Sequence, residues 1–180
     1  YKAVNLDSQI SMAWFHDNEA LINSINQQPL ASNLYCIGDG HQGIWNLVNK
    51  FNPKGKNTEI LDWFHLVENL HKVGGSIKRL DQGENLLWQG KVDDTVTLFS
   101  CLKNQRAQNF CTYLQNHAHR IVNYAYYQAE KISSIASGSV ESTVKQIGRR
   151  LKISGAQWNS ENVPQILKHR CAYLNKTLMA

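Results

Sequence analysis

The stretch Leu34–Trp45, LYCIGDGHQGIW, decides how this chain reads. Leu34, Tyr35, Cys36 and Ile37 form a short apolar run that stops at Gly38-Asp39-Gly40. Ile44, Leu47, Val48 and Phe51 then follow the i, i+3, i+4, i+7 spacing of a helix. A buried strand that ends in a carboxylate beside a helix start is where open α/β sheets place their ligands. Asp39 is therefore a candidate ligand. A second reading stands beside it: Asp39 as the helix N-cap, with Gln42 completing a capping box.

Upstream, Tyr1–Leu6 (YKAVNL) alternates as a strand does, and Met12–Phe15 is a short apolar cluster. Asp17 is placed to cap a helix that turns Leu21, Ile22 and Ile25 inward and breaks at Gln28-Pro29. Downstream, residues 52–57 read as a loop. Ile60–His65 (ILDWFH) begins as another buried strand, after which Leu66, Leu70 and Val73 carry a helical period to Gly74-Gly75. Strand, helix, strand, helix argues a parallel α/β layer.

From Ile77 to Ile132 the strand signal disappears. Leu80, Leu86, Leu87 and Trp88 predict one helix ended at Gly90, and Val92, Val96, Leu98, Phe99 and Leu102 a second. Phe110, Leu114, Ile121, Tyr124 and Tyr127 predict a long third. The aromatic stripe of this block reads as core. His117 and His119, two residues apart, point to different sides of a helix and read as surface or core histidines. Beyond the small-residue loop Ser133–Ser139, Val140, Val144, Ile147 and Leu151 share a helix face. Glu141, Lys145, Arg149 and Lys152 occupy a neighbouring arc of about 80°. Gly148 within that helix costs about 1 kcal/mol against Ala, which predicts close packing there. A last helix, Val163–Leu174, starts around Pro164. The expected organisation is a core of residues 1–76 and 133–180, interrupted by a helical insertion at 77–132.

The chain has 180 residues, 42% hydrophobic and 18% charged, which suits one soluble domain with a real core. No apolar run approaches the about 20 residues of a membrane helix, and YKAVNLDSQ carries no signal-peptide pattern. Cys36, Cys101, Cys111 and Cys171 are scattered without a CxxC pair, which argues against a zinc ribbon or a disulfide framework and for reduced thiols. The net charge is +5, and all of it lies in residues 141–180. There Lys145, Arg149, Arg150, Lys152, Lys168, Arg170 and Lys176 face only Glu141 and Glu161. Such segregation suits a polyanion-binding surface, and equally a solvated basic face.

Two carboxylates, Asp39 and Glu141, and a D-x-x-H unit, Asp62 and His65, thus remain as chemistry-bearing groups. Carboxylates at strand ends and on a facing helix suit hard cations such as Mg²⁺. Two such ions about 3.5–4 Å apart serve phosphodiester chemistry. A basic flank suits a nucleic-acid backbone as substrate.

Taken over nearly its whole length, the chain resembles the C-terminal two-thirds of the catalytic domain of bacterial insertion-sequence transposases of the DDE class. It is similar in particular to those of cyanobacterial genomes that are distantly like the Mutator-like group. The likeness runs through YKAVNL, LYCIGDGHQGIWNL, EILDWFHLVENLHKVGG, RIVNYAYYQAE, SGSVESTVKQIGRRLKISGAQW and ENVPQILKHRCAYLN. It implies a ribonuclease H-like mixed sheet with its first strand missing, and an all-helical insertion before the last catalytic helix. It further implies that Asp39 is the second metal-binding aspartate, at the end of the fold's fourth strand, and that Glu141 is the closing glutamate.

Asp62 and His65 match the family's D-x-x-H motif, which orders the strand–helix junction or touches DNA near the cut. In the intact parent, two Mg²⁺ or Mn²⁺ ions would support strand nicking and then attack of a 3′-hydroxyl on target DNA. Lys145, Arg149, Arg150, Lys152, Lys168 and Arg170 would contact DNA, both transposon ends and target. The implied setting is the bacterial cytoplasm at the nucleoid, with no membrane, and with further copies of the chain as an open partner.

The family's first aspartate belongs on the first strand, and Asp7 is the one stand-in. Only one helix and a loop fit between Asp7 and Asp39, where the fold needs two further strands as well. Tyr1–Leu6 is accordingly expected to be a later strand of the opening hairpin, and the first aspartate to be absent. The chain then reads as a fragment or a decayed copy, inactive alone. The rival reading is a non-catalytic DNA-binding or oligomerisation remnant that uses the basic surface. A third, an unrelated metal hydrolase built on Asp62 and His65, would need further His or Asp ligands.

Overall fold

Alternating patterns at the N-terminus and in the Leu34 and Ile60 regions become strands, and the longer periodic stretches become helices, in a computed structural model that describes residues 1–155 and 157–178. Of the stretches that carry the resemblance, only Ala156 lies outside them. The chain is α/β, and its strands pair as two separate two-stranded sheets among the described residues. It divides into two compact units, Tyr1–Leu30 with Gly138–Ala180, and Ala31–Ser137.

In the first unit, β1 (Lys2–Leu6) and β2 (Ile10–Trp14) form an antiparallel hairpin with Val4 opposite Met12. The apolar cluster at Met12–Phe15 is thus mostly strand. The turn between them places Asp7 and Ser8 at positive φ, 49° and 57°. Asp is one of the few residues that tolerate this region, so Asp7 serves as a turn residue. Helix α1 (Asn18–Asn26) is capped by Asp17, whose side chain accepts from Ala20 N at 2.9 Å, and it buries Leu21 and Ile25. α8 (Gly138–Leu151) and α9 (Val163–Leu174) close the unit. Ile147 of α8 packs with Leu167 and Cys171 of α9, and Ala13 and Phe15 join them.

Two details of α8 differ from the sequence expectation. Its buried residues are Thr143 and Ile147, whereas Val144 is 40% exposed. The hydroxyl of Thr143 explains the turn of the face: it bonds within α8 to Ser139 O at 3.0 Å, lies 3.1 Å from Ser11 Oγ and accepts from Asn5 Nδ2 at 3.3 Å. Nor is Gly148 tightly packed, since a Cβ there would meet only Tyr1 Oη, at 3.8 Å.

In the second unit, β3 (Asn33–Gly38) and β4 (Lys56–Leu61) pair in parallel around the connecting helix α2 (Gln42–Val48). α3 (Trp63–His71) follows β4 directly. Next come α4 (Ile77–Trp88), α5 (Val92–Ser100), α6 (Gln105–His117), a 3-10 turn Ala118–Arg120 and α7 (Tyr124–Ala129). The long third helix expected here is therefore broken between His117 and Tyr124.

A buried ion pair gives the physical reason. Arg120, in the 3-10 turn, donates through Nε to Glu59 of β4 and lays its guanidinium 4.6 Å from the Trp45 ring centroid. A helix continued through this point would carry Arg120 away from both. Leu61, Leu66, Leu70, Leu87, Phe99, Leu114 and Tyr124 are fully buried in this unit's core. Cys36, Cys101, Cys111 and Cys171 are all free. No helix among the described residues is long and apolar enough to cross a membrane.

Candidate functional site

The register of the parallel pair puts Gly38 opposite Leu61, and Asp62 N donates to Gly38 O at 2.8 Å to extend the ladder. Asp39 and Asp62 therefore follow the last paired residues of adjacent strands, at one C-terminal edge. Glycine is required on either side of Asp39. A Cβ on Gly38 would come within 3.0 Å of the Trp45 ring, and Gly40 has φ 95°, a conformation that strains any L side chain.

Asp39 is not the N-cap of α2, so that reading falls. His41 occupies the cap, its Nδ1 accepting from Gly43 N at 3.0 Å, while Asp39 Oδ1 accepts from His41 N at 2.9 Å. The expected partner Gln42 instead donates to Asn46 Oδ1 at 3.0 Å, so no capping box forms. Asp39 thus holds an exposed Asx turn ahead of the helix. A carboxylate oxygen exposed at a strand end has the chemistry a hard cation prefers.

Asp62 differs in every respect. It is 1% exposed and caps α3, with Oδ1 accepting from His65 N at 3.0 Å and Oδ2 from Ser137 N. His65 Nδ1 lies 3.3 Å from Oδ1. Burial by itself would raise this carboxyl, but the hydrogen bonds from Ser137 and His65 outweigh it and hold it below the usual aspartate value. The D-x-x-H spacing is therefore the N-cap-to-N3 spacing of a helix start. Trp63 N also donates to Ile135 O at 3.1 Å, so the junction after β4 holds the 135–137 segment through one backbone bond and the Asp62 side chain. With both oxygens committed to backbone N–H groups, Asp62 orders the junction, whereas Asp39 retains an oxygen to offer.

Three more side chains of the same unit gather at this edge, none of which its spacing marks as part of a site. Tyr124 Oη donates to Leu61 O at 2.8 Å, satisfying the last carbonyl of β4. Burial pushes its phenol well above the usual range. Burial also pushes the Tyr113 phenol up to about 12; the Asn69 side chain pulls the other way, and the Asp39 and Asp62 carboxylates add to the rise. His117 faces Gly40, where a Cβ would sit 3.4 Å from its Nε2. Burial, then Arg120 and His119 beside it, lower its imidazole below the usual value. Tyr113 was invisible because a tyrosine in an apolar stripe has the same spacing whether or not its hydroxyl is used.

Glu141 lies in the other unit, in the first turn of α8, where a carboxylate is favoured by the helix dipole. Lys145, Arg149 and Arg150 are exposed on the same helix, and Lys152 is exposed immediately beyond its last residue. At about 100° per residue, Lys145, Arg149 and Lys152 lie nearly opposite Thr143 and Ile147, so the basic arc faces away from its own core. On α9 the charges diverge. Lys168 is exposed, whereas Arg170 stacks its guanidinium 4.6 Å from the Tyr173 ring centroid. No protein-family model, curated protein or solved structure matches this chain.

Proposed function

We propose that the chain belongs to the catalytic domain of a DDE-class DNA transposase with a ribonuclease H-like fold, acting in the bacterial cytoplasm. One observation carries the reading: the parallel pair β3–β4 ends with Asp39 exposed and Asp62 capping the next helix at the same edge. The order hairpin, helix, strand, helix, strand, helix supports it, as does the long sequence resemblance.

In this reading Asp39 and Glu141 are metal ligands, and Asp62 and His65 hold the strand–helix junction on which Asp39's edge depends. Magnesium or manganese, when bound, would activate the attacking oxygen and stabilise the leaving oxygen of a phosphodiester. The chain's own part is to present the exposed Asp39 carboxylate at the strand edge, with the buried Asp62 cap ordering the junction beside it. The basic arc Lys145, Arg149, Lys152, joined by Arg150, Lys168 and Arg170, would bind DNA phosphates without reading sequence.

The exposed arc also favours a second reading, DNA binding without catalysis. A gel-shift with and without Mn²⁺ separates the two, because a chain that lacks the first aspartate need not nick DNA by itself. DNA binding that Mn²⁺ tightens in the wild type but not in Asp39→Asn supports the catalytic reading. Binding that ignores Mn²⁺ and is unchanged in Asp39→Asn supports the rival.

A further inference from the structure

A cleft of about 600 Å³ opens between the C-terminal end of α3 and the outer face of α6, wholly within the second unit. Its size falls in the range of small-ligand sites, about 300–1,000 Å³. Asn69, Lys72, Arg106, Asn109, Phe110 and Tyr113 define it, and no carboxylate lines it.

Most polar groups left over in this cleft are donors; Asn69 gives its Nδ2 to His65 O at 2.8 Å and keeps its carbonyl oxygen as an acceptor. Asn109 Oδ1 is already taken by Gln105 Nε2 at 2.8 Å, which leaves its amide N–H₂ to donate. Tyr113 Oη is buried and meets no partner at full hydrogen-bond geometry among the described residues, the Asn69 side chain being its polar neighbour. A ligand acceptor would complete its hydrogen bonding. Arg106 forms no ion pair among the described residues. Lys72 pairs with Glu68 at 3.2 Å, but both are 61% exposed, and solvent screens such a pair. Lys72 is therefore able to turn toward an incoming anion.

Under these donors lies an aromatic floor. Phe110 and Tyr113 have nearly parallel rings, 19° apart, with centroids separated by 6.4 Å. Cations, amide donors and the part-exposed Tyr113 ring backed by the buried Phe110, with no carboxylate in the lining, select a ligand with a negative charge, several acceptors and a planar ring.

We propose that this cleft binds a nucleoside monophosphate unit, with Arg106 and Lys72 on the phosphate, the base against the Tyr113 ring, and Asn109 and the Tyr113 hydroxyl donating to its acceptors. Guanidinium and ammonium groups suit the phosphate, and base–aromatic stacking tolerates any base. The unit comes either as a free nucleotide or as one residue of a single strand, which share this chemistry. The proposal rests on the second unit alone and stands whether or not the transposase reading does.

Titration of the full chain with dAMP, followed by amide NMR shifts and calorimetry, tests it. Saturable binding is expected, with shifts centred on Arg106–Tyr113. Arg106→Ala should weaken it tenfold or more, and Tyr113→Phe, which preserves the ring, by about fivefold, the worth of one hydrogen bond. Arg106 is exposed, so its replacement does not threaten folding. A short single-stranded oligonucleotide that displaces dAMP with higher affinity identifies the ligand as part of a strand. Binding of dAMP alone identifies a free nucleotide. Inorganic phosphate or deoxyadenosine binding as tightly as dAMP would overturn the proposal, as would no dAMP binding or affinity unchanged in both variants.

Discussion

Asp62 carries two charge-assisted hydrogen bonds from backbone N–H groups at 1% exposure, so its loss should be felt as stability. Asp62→Ala is expected to cost about 2–3 kcal/mol in urea unfolding, more than an exposed cap, because Ser137 N would be left unpaired as well. The pH dependence has a definite sign. The folded carboxyl lies below its unfolded value, so its contribution is complete above about pH 4, the unfolded aspartate pKa, and is lost as pH falls through the folded value. The stability gap between wild type and Asp62→Ala should therefore be constant from pH 5 to 7 and narrow below about pH 4. A gap that widened with acid would contradict the assignment of Asp62 as the charged cap. Gly148 behaves oppositely. It sits mid-helix with only the Tyr1 hydroxyl near an added Cβ, at 3.8 Å, so Gly148→Ala should raise stability by up to about 1 kcal/mol.

At the scale of elements, the Glu59–Arg120 pair fixes where α6 ends and ties the 3-10 turn to β4. Both side chains are nearly buried, 14% and 10% exposed, and breaking such a pair leaves an uncompensated charge. Glu59→Ala should cost about 3 kcal/mol, whereas His119→Ala, at a residue 63% exposed and 3.8 Å from the same carboxylate, should change little. Equal effects on unfolding would mean that the turn is held by packing alone. This pair also explains what the sequence could and could not disclose. The strand end at Gly38 and the cap at Asp17 were readable because glycine, apolar runs and capping residues act locally, whereas the strand expected to begin at Ile60 runs Lys56–Leu61, taking in Lys56 and Asn57 of the expected loop, and α3 starts at Trp63 because Asp62 caps it. The break at Ala118–Asn123 was not, because it depends on a glutamate 61 positions away along the chain. Likewise Asp39 and Asp62 look alike as strand-end acids, and only the partners on their oxygens separate a turn residue from a buried cap. The rotation of α8 onto Thr143 was hidden for the same reason, since hydrophobic periodicity counts Val144 but not a threonine bonded to Ser11 and Asn5.

For the whole molecule, the excess positive charge confined to residues 141–180 predicts DNA binding that weakens steeply with salt. Replacing Lys145, Arg149 and Lys152 with alanine should make the slope of log K against log salt shallower by about 2–3, and by the same amount for unrelated sequences. A sequence-dependent loss would instead argue that these side chains read bases. The central proposal is that Asp39 and Glu141 each serve as a metal ligand. Mn²⁺ binding, measured by electron paramagnetic resonance on the wild type, Asp39→Asn and Glu141→Gln, tests it most directly. The account predicts Mn²⁺ binding in the wild type and a loss of at least tenfold in affinity in each variant. Mn²⁺ affinity that was unchanged in either variant, or a wild type that bound none, would contradict it.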